Sequence, residues 1–216
     1  AIADKDVAAI VGSVAADDRG NIFVGDCENR LVHRIDSQGI LRIYAGLGLG
    51  EQTRGFEVAR RASFSYPCSI SIDSNRNVFV ADGSMIRAID LGGFIRTVAG
   101  NGLCGYSPDG TLATEARLIN PSQPAFDSRG RAHFVEGTVG GDCLGTGRRV
   151  RMIDENGRLH TVAATGVAGY SGDGGLARLA EFRFSGDGSG LAFDGADNLY
   201  ISDTGNKVIR RVRKSD

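Results

Sequence analysis

The sequence predicts an all-β repeat protein built as a β-propeller. Glycine supplies 32 of the 216 residues, about twice the usual share, with only 4 prolines and no collagen-like period. Short apolar runs alternate with clusters of Gly, Asp and Asn, the signature of short antiparallel strands joined by tight turns. The same strand–turn order returns four times, and no window holds a 3.6-residue period beyond a turn or two. Four antiparallel strands per unit, with connectors between units, is the pattern of propeller blades.

The last unit shows the pattern most clearly. Gly190 to Val212 reads GLAFDGADNLYISDTGNKVIRRV, three short runs separated by turn clusters. The first unit runs from Ser13 through strands at Ile22–Val24 and Leu31–Asp36 to a fourth at Ile40–Ala45. The second opens at Ser69 and continues through Val78–Asp82, Met85–Asp90 and Phe94–Gly100. The third takes Pro124–Asp127, Ala132–Val135, an insertion at 136–148, Val150–Asp154 and Leu159–Ala163. The repeats therefore span about 13–46, 69–100, 123–165 and 189–214, with connectors at 47–68, 101–122 and 166–188. Asp17, Asp73, Asp127 and Asp194 are equivalent positions.

The connectors repeat as well. Gly100 to Pro121 reads GNGLCGYSPDGTLATEARLINP, and Gly166 to Phe184 reads GVAGYSGDGGLARLAEFRF. Gly46 to Pro67 is a degenerate copy. Each holds a Gly-rich loop and then a short Ala-rich segment, with room for one helical turn.

A hydrophobic content of 41% suffices for a packed core and excludes a disordered chain. The net charge of −1 sets up no global field for nucleic acid or acidic lipid. No run of 18 apolar residues occurs, so no membrane-spanning helix is expected. The chain starts at Ala1 without a signal sequence, which suggests a removed leader or a piece of something larger.

On TVAGNG…GYSPDGTLATEARL…P and DNLYISDTGNKVIRRV, the chain resembles the NHL repeat family of β-propellers. The resemblance is strong in the second and fourth copies and loose in the first and third. It implies a propeller serving as a binding scaffold, a sensor domain or an RNA- or protein-binding end. Some relatives of the fold are lyases or metal-dependent hydrolases. The chain departs from the common six blades: it holds four repeats, and the last lacks its outer strand. A closing strand plus a connector does not fit into Ala1–Gly12. The segment Val208, Ile209, Arg210, Arg211 and Val212 is therefore expected to be an open edge, a template for a strand from outside the blade.

Loops between strands two and three share a propeller face with the connectors. This brings Cys27 near Cys68 and Cys104 near Cys143, and two disulfides are expected. They imply an oxidising compartment, extracellular or cell-surface, with the periplasm as alternative. His33, His133 and His160 occupy different strand positions and do not converge as a zinc site would require. The loops with Tyr106 and Asp109, and with Tyr170 and Asp173, each offer one carboxylate where calcium takes six to eight oxygens. Their glycines fit turns and their tyrosines fit plugs against a blade, so no cofactor or metal is expected. The Arg-rich segments at Arg60–Arg61, Arg148–Arg151 and Arg210–Lys214 read as strand residues paired with the repeat aspartates, ahead of an RNA-binding face.

These readings give a non-catalytic binding or structural scaffold with a protein partner, either self or a chain completing the propeller. Its loop face carries Tyr106, Asp109, Asp142, Tyr170 and Asp173. The competing classes are a propeller lyase or hydrolase with a channel metal, and an RNA-binding domain. The first strands are apolar, which suits neither channel chemistry nor a metal.

Overall fold

A computed structural model describes residues 11–48, 52–122, 124–137, 147–185 and 189–214. Among the described residues, sixteen strands form four antiparallel sheets set round a common axis as the blades of a four-bladed β-propeller. Blade one holds β1 (Val11–Ala16), β2 (Ile22–Asp26), β3 (Leu31–Ile35) and β4 (Leu41–Ala45) in sequential order. Blade two holds β6 (Pro67–Ile72), β7 (Val78–Asp82), β8 (Met85–Ile89) and β9 (Phe94–Ala99). Blade three holds β10 (Ala125–Phe126), β11 (Ala132–Glu136), β12 (Arg149–Ile153) and β13 (Leu159–Ala163). Blade four has three strands, β14 (Leu191–Phe193), β15 (Leu199–Asp203) and β16 (Val208–Val212).

One strand was not foreseen. The first connector contributes β5 (Glu57–Val58), which pairs antiparallel with β9, so blade two has five strands in the order β5-β9-β8-β7-β6. The Ala-rich connector segments are single 3-10 turns at Ala59–Arg61, Ala113–Glu115 and Ala177–Leu179. The first two connectors thus lie along the outer strand of the blade each leads into.

The strands alternate faces, and both faces of an inner blade are apolar because each meets a neighbour. Phe23 and Val32 of blade one pack with Ile70, Val78 and Val80 of blade two, and with Ala59, Ala62 and Phe64 of the first connector. Phe79 and Ile86 turn the other way and meet Phe134 and Leu159 of blade three. Val135 and Val150 meet Phe182, Leu199 and Ile201 in the third core. The faces at the two ends of this array are open: Val14 on β1 is 60% exposed and Ile209 on β16 is 74% exposed. Their counterparts Ile70 and Ile86 in blade two are fully buried.

The repeat aspartates are turn caps. Asp17 Oδ1 accepts the N–H groups of Arg19 and Asn21, and Oδ2 accepts the Asn21 amide. Asp73, Asp127 and Asp194 do the same in their blades. Of these four, among the described residues, Asp127 alone pairs with an arginine, its own turn residue Arg131; the strand arginines Arg151 and Arg210 meet other aspartates, Asp109, Asp173 and Asp203. A short carboxylate side chain satisfies its own turn before any distant partner.

The Asn198 side-chain and backbone hydrogen bonds hold the Asp194 carboxyl below its usual range. Burial pushes Asp17 up, but the Asn21 and Arg19 hydrogen bonds outweigh it, and this carboxyl also lies low. A carboxyl depressed by folding contributes stability above its ordinary pKa and loses it as pH falls through and below that value, about 4. Melting temperature should therefore fall between pH 5 and pH 2. The fall should be smaller for Asp194→Asn, which has no proton to take up; circular dichroism melts across that range check this.

Candidate functional site

The polar interior of the propeller is a repeated latch. The carboxylate ending strand two is buried in every blade: Asp26, Asp82, Glu136 and Asp203. Register places these carboxylates opposite the first residue of strand three, at Leu31, Met85, Arg149 and Val208. Two residues further along strand three stand His33, Arg87, Arg151 and Arg210. In blades two to four the carboxylate and the arginine together grip the incoming connector.

In blade two, Asp82 Oδ1 accepts the N–H groups of Ser65 and Tyr66, both at 2.7 Å, and Oδ2 accepts the Gln52 amide at 2.7 Å. Arg87, fully buried, donates to the Ser63 carbonyl at 3.3 Å and to Glu57 at 3.2 Å. In blade three, Glu136 accepts the Ile119 N–H at 3.2 Å and Arg151 at 2.8 Å. Arg151 also donates to the Ser107 carbonyl at 3.0 Å and reaches Asp109 at 3.4 Å. In blade four, Asp203 accepts the Arg183 N–H at 2.8 Å. Arg210 donates to the Ser171 and Glu181 carbonyls and binds Asp173 at 2.6 Å. Blade one substitutes His33, whose Nε2 lies 3.1 Å from Asp26 Oδ2.

Burial pushes the Asp82 and Glu136 carboxyls up, and the N–H donors and arginines around each pull against it. The donor set around Asp82 serves a carboxylate, which accepts only. The guanidinium groups also lie over aromatic rings: Arg149 is 4.4 Å from the Tyr106 centroid, and Arg210 is 4.3 Å from Phe182 and 5.6 Å from Tyr170. Tyr106 and Tyr170 therefore cap arginines instead of plugging a blade, and each remains about half exposed.

The expected loop residues thus meet the latch. Asp109 holds Arg151 and the Thr161 hydroxyl, and Asp173 holds Arg210. Asp142 and Cys143 lie outside the described residues. Cys27 and Cys68 form a disulfide with Cα atoms 4.9 Å apart, tying the 2–3 loop of blade one to the start of blade two, and Cys104 is also disulfide-bonded. Of the edge residues, Arg210 turns inward to the latch while Ile209 and Arg211 are exposed. His33, His133 and His160 sit on three strands in two blades. Each has its own partner: Asp26, the Arg131 carbonyl and Asp154. Among the described residues no three His, Cys, Asp or Glu side chains group so as to hold a metal ion. No described helix is long and apolar enough to cross a membrane.

Sequence reasoning missed Asp82, Glu136 and Asp203 as a set; it read Arg151 and Arg210 as strand residues paired with aspartates without identifying the carboxylates they meet. The signal was present: an arginine stands third in strand three in three of four repeats, each time after a carboxylate closing strand two.

The fold and the latches define a β-propeller. No family model matches the chain. It is 29% identical over 215 residues to Teneurin-m of Drosophila melanogaster, covering 90% of this chain and 8% of that protein. To Teneurin-1 of Gallus gallus it is 24% identical over 279 residues, covering 90% of this chain and 10% of that protein. The chain thus spans about a tenth of the length of these relatives. A Bacteroides thetaiotaomicron protein of unknown function superposes with a TM-score of 0.69 at 20% identity, covering 93% of this chain and 46% of that one. A virginiamycin B lyase from Staphylococcus aureus superposes with a TM-score of 0.55 at 13% identity, covering 95% and 53%. The solved neighbours include enzymes as well as proteins of unknown function, and at these identities they share the fold alone.

Removing one member of a buried ion pair strands the other. Arg151→Met should cost about 3–5 kcal/mol, and adding Glu136→Gln should recover part of it. Urea denaturation of the single and double variants checks both. Equal stability of Arg151→Met and the parent would contradict the latch.

Proposed function

We propose that this chain is an NHL-type propeller acting as a non-catalytic, protein-binding scaffold in an oxidising, extracellular setting. Its working surface is the loop face of the connectors together with the open edge of blade four. The observation that carries this reading is β16, which among the described residues pairs with β15 and has no strand on its other side. An exposed strand edge of this kind is a template for main-chain pairing with another polypeptide. The half-exposed rings of Tyr106 and Tyr170 lie on the same side as the connectors and offer aromatic contact area, of the kind enriched at protein interfaces. The Cys27–Cys68 disulfide supports the oxidising compartment. Asp109 and Asp173 are committed to arginines, which leaves the loop face without a free acid–base pair at those positions.

A photo-reactive residue placed at Tyr170, and separately at Ile209, tests this in the native source. Covalent adducts to a protein at both positions are expected, with none from a control position at the outer turn residue Ser37. Absence of protein adducts, together with one metal ion per chain by elemental analysis, would favour an enzyme at the channel instead.

A further inference from the structure

We propose that the outer edge of blade two, around the stacked rings of Phe56 and Phe94, binds an acidic polysaccharide. The rings take the apolar face of a sugar, and arginines on either side take its carboxylate or sulfate groups. The choice of a polysaccharide rests on the extracellular setting read above. The surface belongs to the first connector and β9, so it is independent of the loop face, of β16 and of both ends of the sequence.

Blade two departs from its siblings at neighbouring positions. The first connector aligns on the second without a gap, Gly46–Pro67 on Gly100–Pro121, which sets Phe56 on Gly110. Counting from the turn aspartates Asp36, Asp90 and Asp154 sets Phe94 on Ile40 and Arg158, and Arg96 on Arg42 and His160. In blade three, Gly110 leaves room for Arg158 to fold back on the connector, where it donates to the Gly110 carbonyl. In blade two the same two positions hold phenyl rings, their centroids 5.1 Å apart and their planes 10° from parallel. Phe56 is 69% exposed and Phe94 39%, so the stack presents a ring face to solvent. Its base is fixed, because Val58 of β5 pairs with Phe94 in the sheet.

The second departure frees a cation. Arg42 meets Asp36 at 2.9 Å and His160 meets Asp154 at 2.8 Å, each closing its own turn. Asp90 Oδ1 instead accepts the Phe94 N–H at 3.0 Å, and among the described residues no ion pair joins Asp90 to Arg96. Arg96 follows Phe94 by two residues, on the same face of β9. Arg54 lies beyond it, its carbonyl accepting the Thr97 hydroxyl at 2.8 Å. At the other end the Ala59 N–H binds the Gly93 carbonyl, and Arg60 and Arg61 follow at once. All four arginines are exposed, and none has an ion pair among the described residues. The nearest acid of the connector, Glu57, is taken by Arg87 and Thr53.

Charge and shape together select the partner. A guanidinium is a planar fork that matches an oxyanion through paired hydrogen bonds. An exposed phenyl face takes the C–H side of a sugar ring. From Gly93 to Thr97 β9 advances about 13 Å, longer than one sugar ring, so the occupant is a chain with anions on either side of the ring that stacks. Single-stranded nucleic acid is matched by a groove in which successive rings take successive bases. Here one stack stands between two sets of arginines. The Cys27–Cys68 disulfide supports the oxidising compartment in which acidic polysaccharides are met.

The probe is a fluorescein-labelled heparin hexasaccharide, titrated into the intact chain and read by anisotropy. Saturable binding is expected. It should weaken about tenfold when Arg60→Ala and Arg61→Ala are combined, since charge-assisted bonds to the anions are lost. Phe56→Ala should weaken it about fivefold by removing the ring face, with an unchanged melting temperature because the side chain is exposed. Arg178→Ala is the control: it stands at the repeat position of Arg60 in the third connector and should bind as the parent does. In Phe56→Trp the indole emission should shift on adding the hexasaccharide. No saturable binding, full binding by Phe56→Ala, or an equal loss in Arg178→Ala would overturn the proposal. So would tighter binding of an oligothymidylate of equal charge with the same dependence on Phe56, which would give the surface to nucleic acid. Protein adducts at Tyr170 and Ile209 without hexasaccharide binding remove this site and leave the scaffold reading; hexasaccharide binding without adducts does the reverse.

Discussion

The structure depends on one repeated interaction: a buried carboxylate at the end of strand two and a buried arginine in strand three, closing on the backbone of the arriving connector. Hydrophobic burial between blades supplies the bulk of the stability, but it is non-directional. The latch adds direction. Asp82, Glu136 and Asp203 accept connector N–H groups at equivalent positions, Ser65, Ile119 and Arg183. Arg87, Arg151 and Arg210 take connector carbonyls. A connector misplaced by one residue would leave charged groups buried and unpaired, a cost larger than the contacts it could gain. The first two connectors are therefore laid in register along the outer strand of the blade each enters.

That arrangement also explains why acidic and aromatic side chains gather on the loop face. Asp109 and Asp173 bind the guanidinium groups of Arg151 and Arg210, and Tyr106 and Tyr170 lie against the guanidinium groups of Arg149 and Arg210. Blade one shows what changes when the arginine is absent: His33 meets Asp26 directly, and Asn29 supplies the N–H that connectors supply elsewhere. The histidine is thus a positional substitute, consistent with its place in the repeat.

Much of the fold was legible in the sequence because its determinants are local. Asp17, Asp73, Asp127 and Asp194 announce turns whose hydrogen bonds close within four residues. Strand alternation and the connector repeat then fix the blades, and the missing outer strand of the fourth follows from counting. The Cys27–Cys68 pairing was legible only after the repeat had placed both loops on one face. The latch and β5 were not, because they join residues 15 to 44 positions apart whose equivalence appears only once strand register is known. Glu57 and Val58 carry no strand signal of their own; the edge of β9 recruits them.

The most direct measurement is residue-resolved amide exchange on the chain alone. If the account is right, the amides of β8 and β12, paired on both sides, exchange only through global opening. On β16, alternate amides that face away from β15 should then exchange orders of magnitude faster, with Arg183 protected by Asp203 despite its place in a loop. Uniform protection along β16, matching β8 and β12, would contradict it.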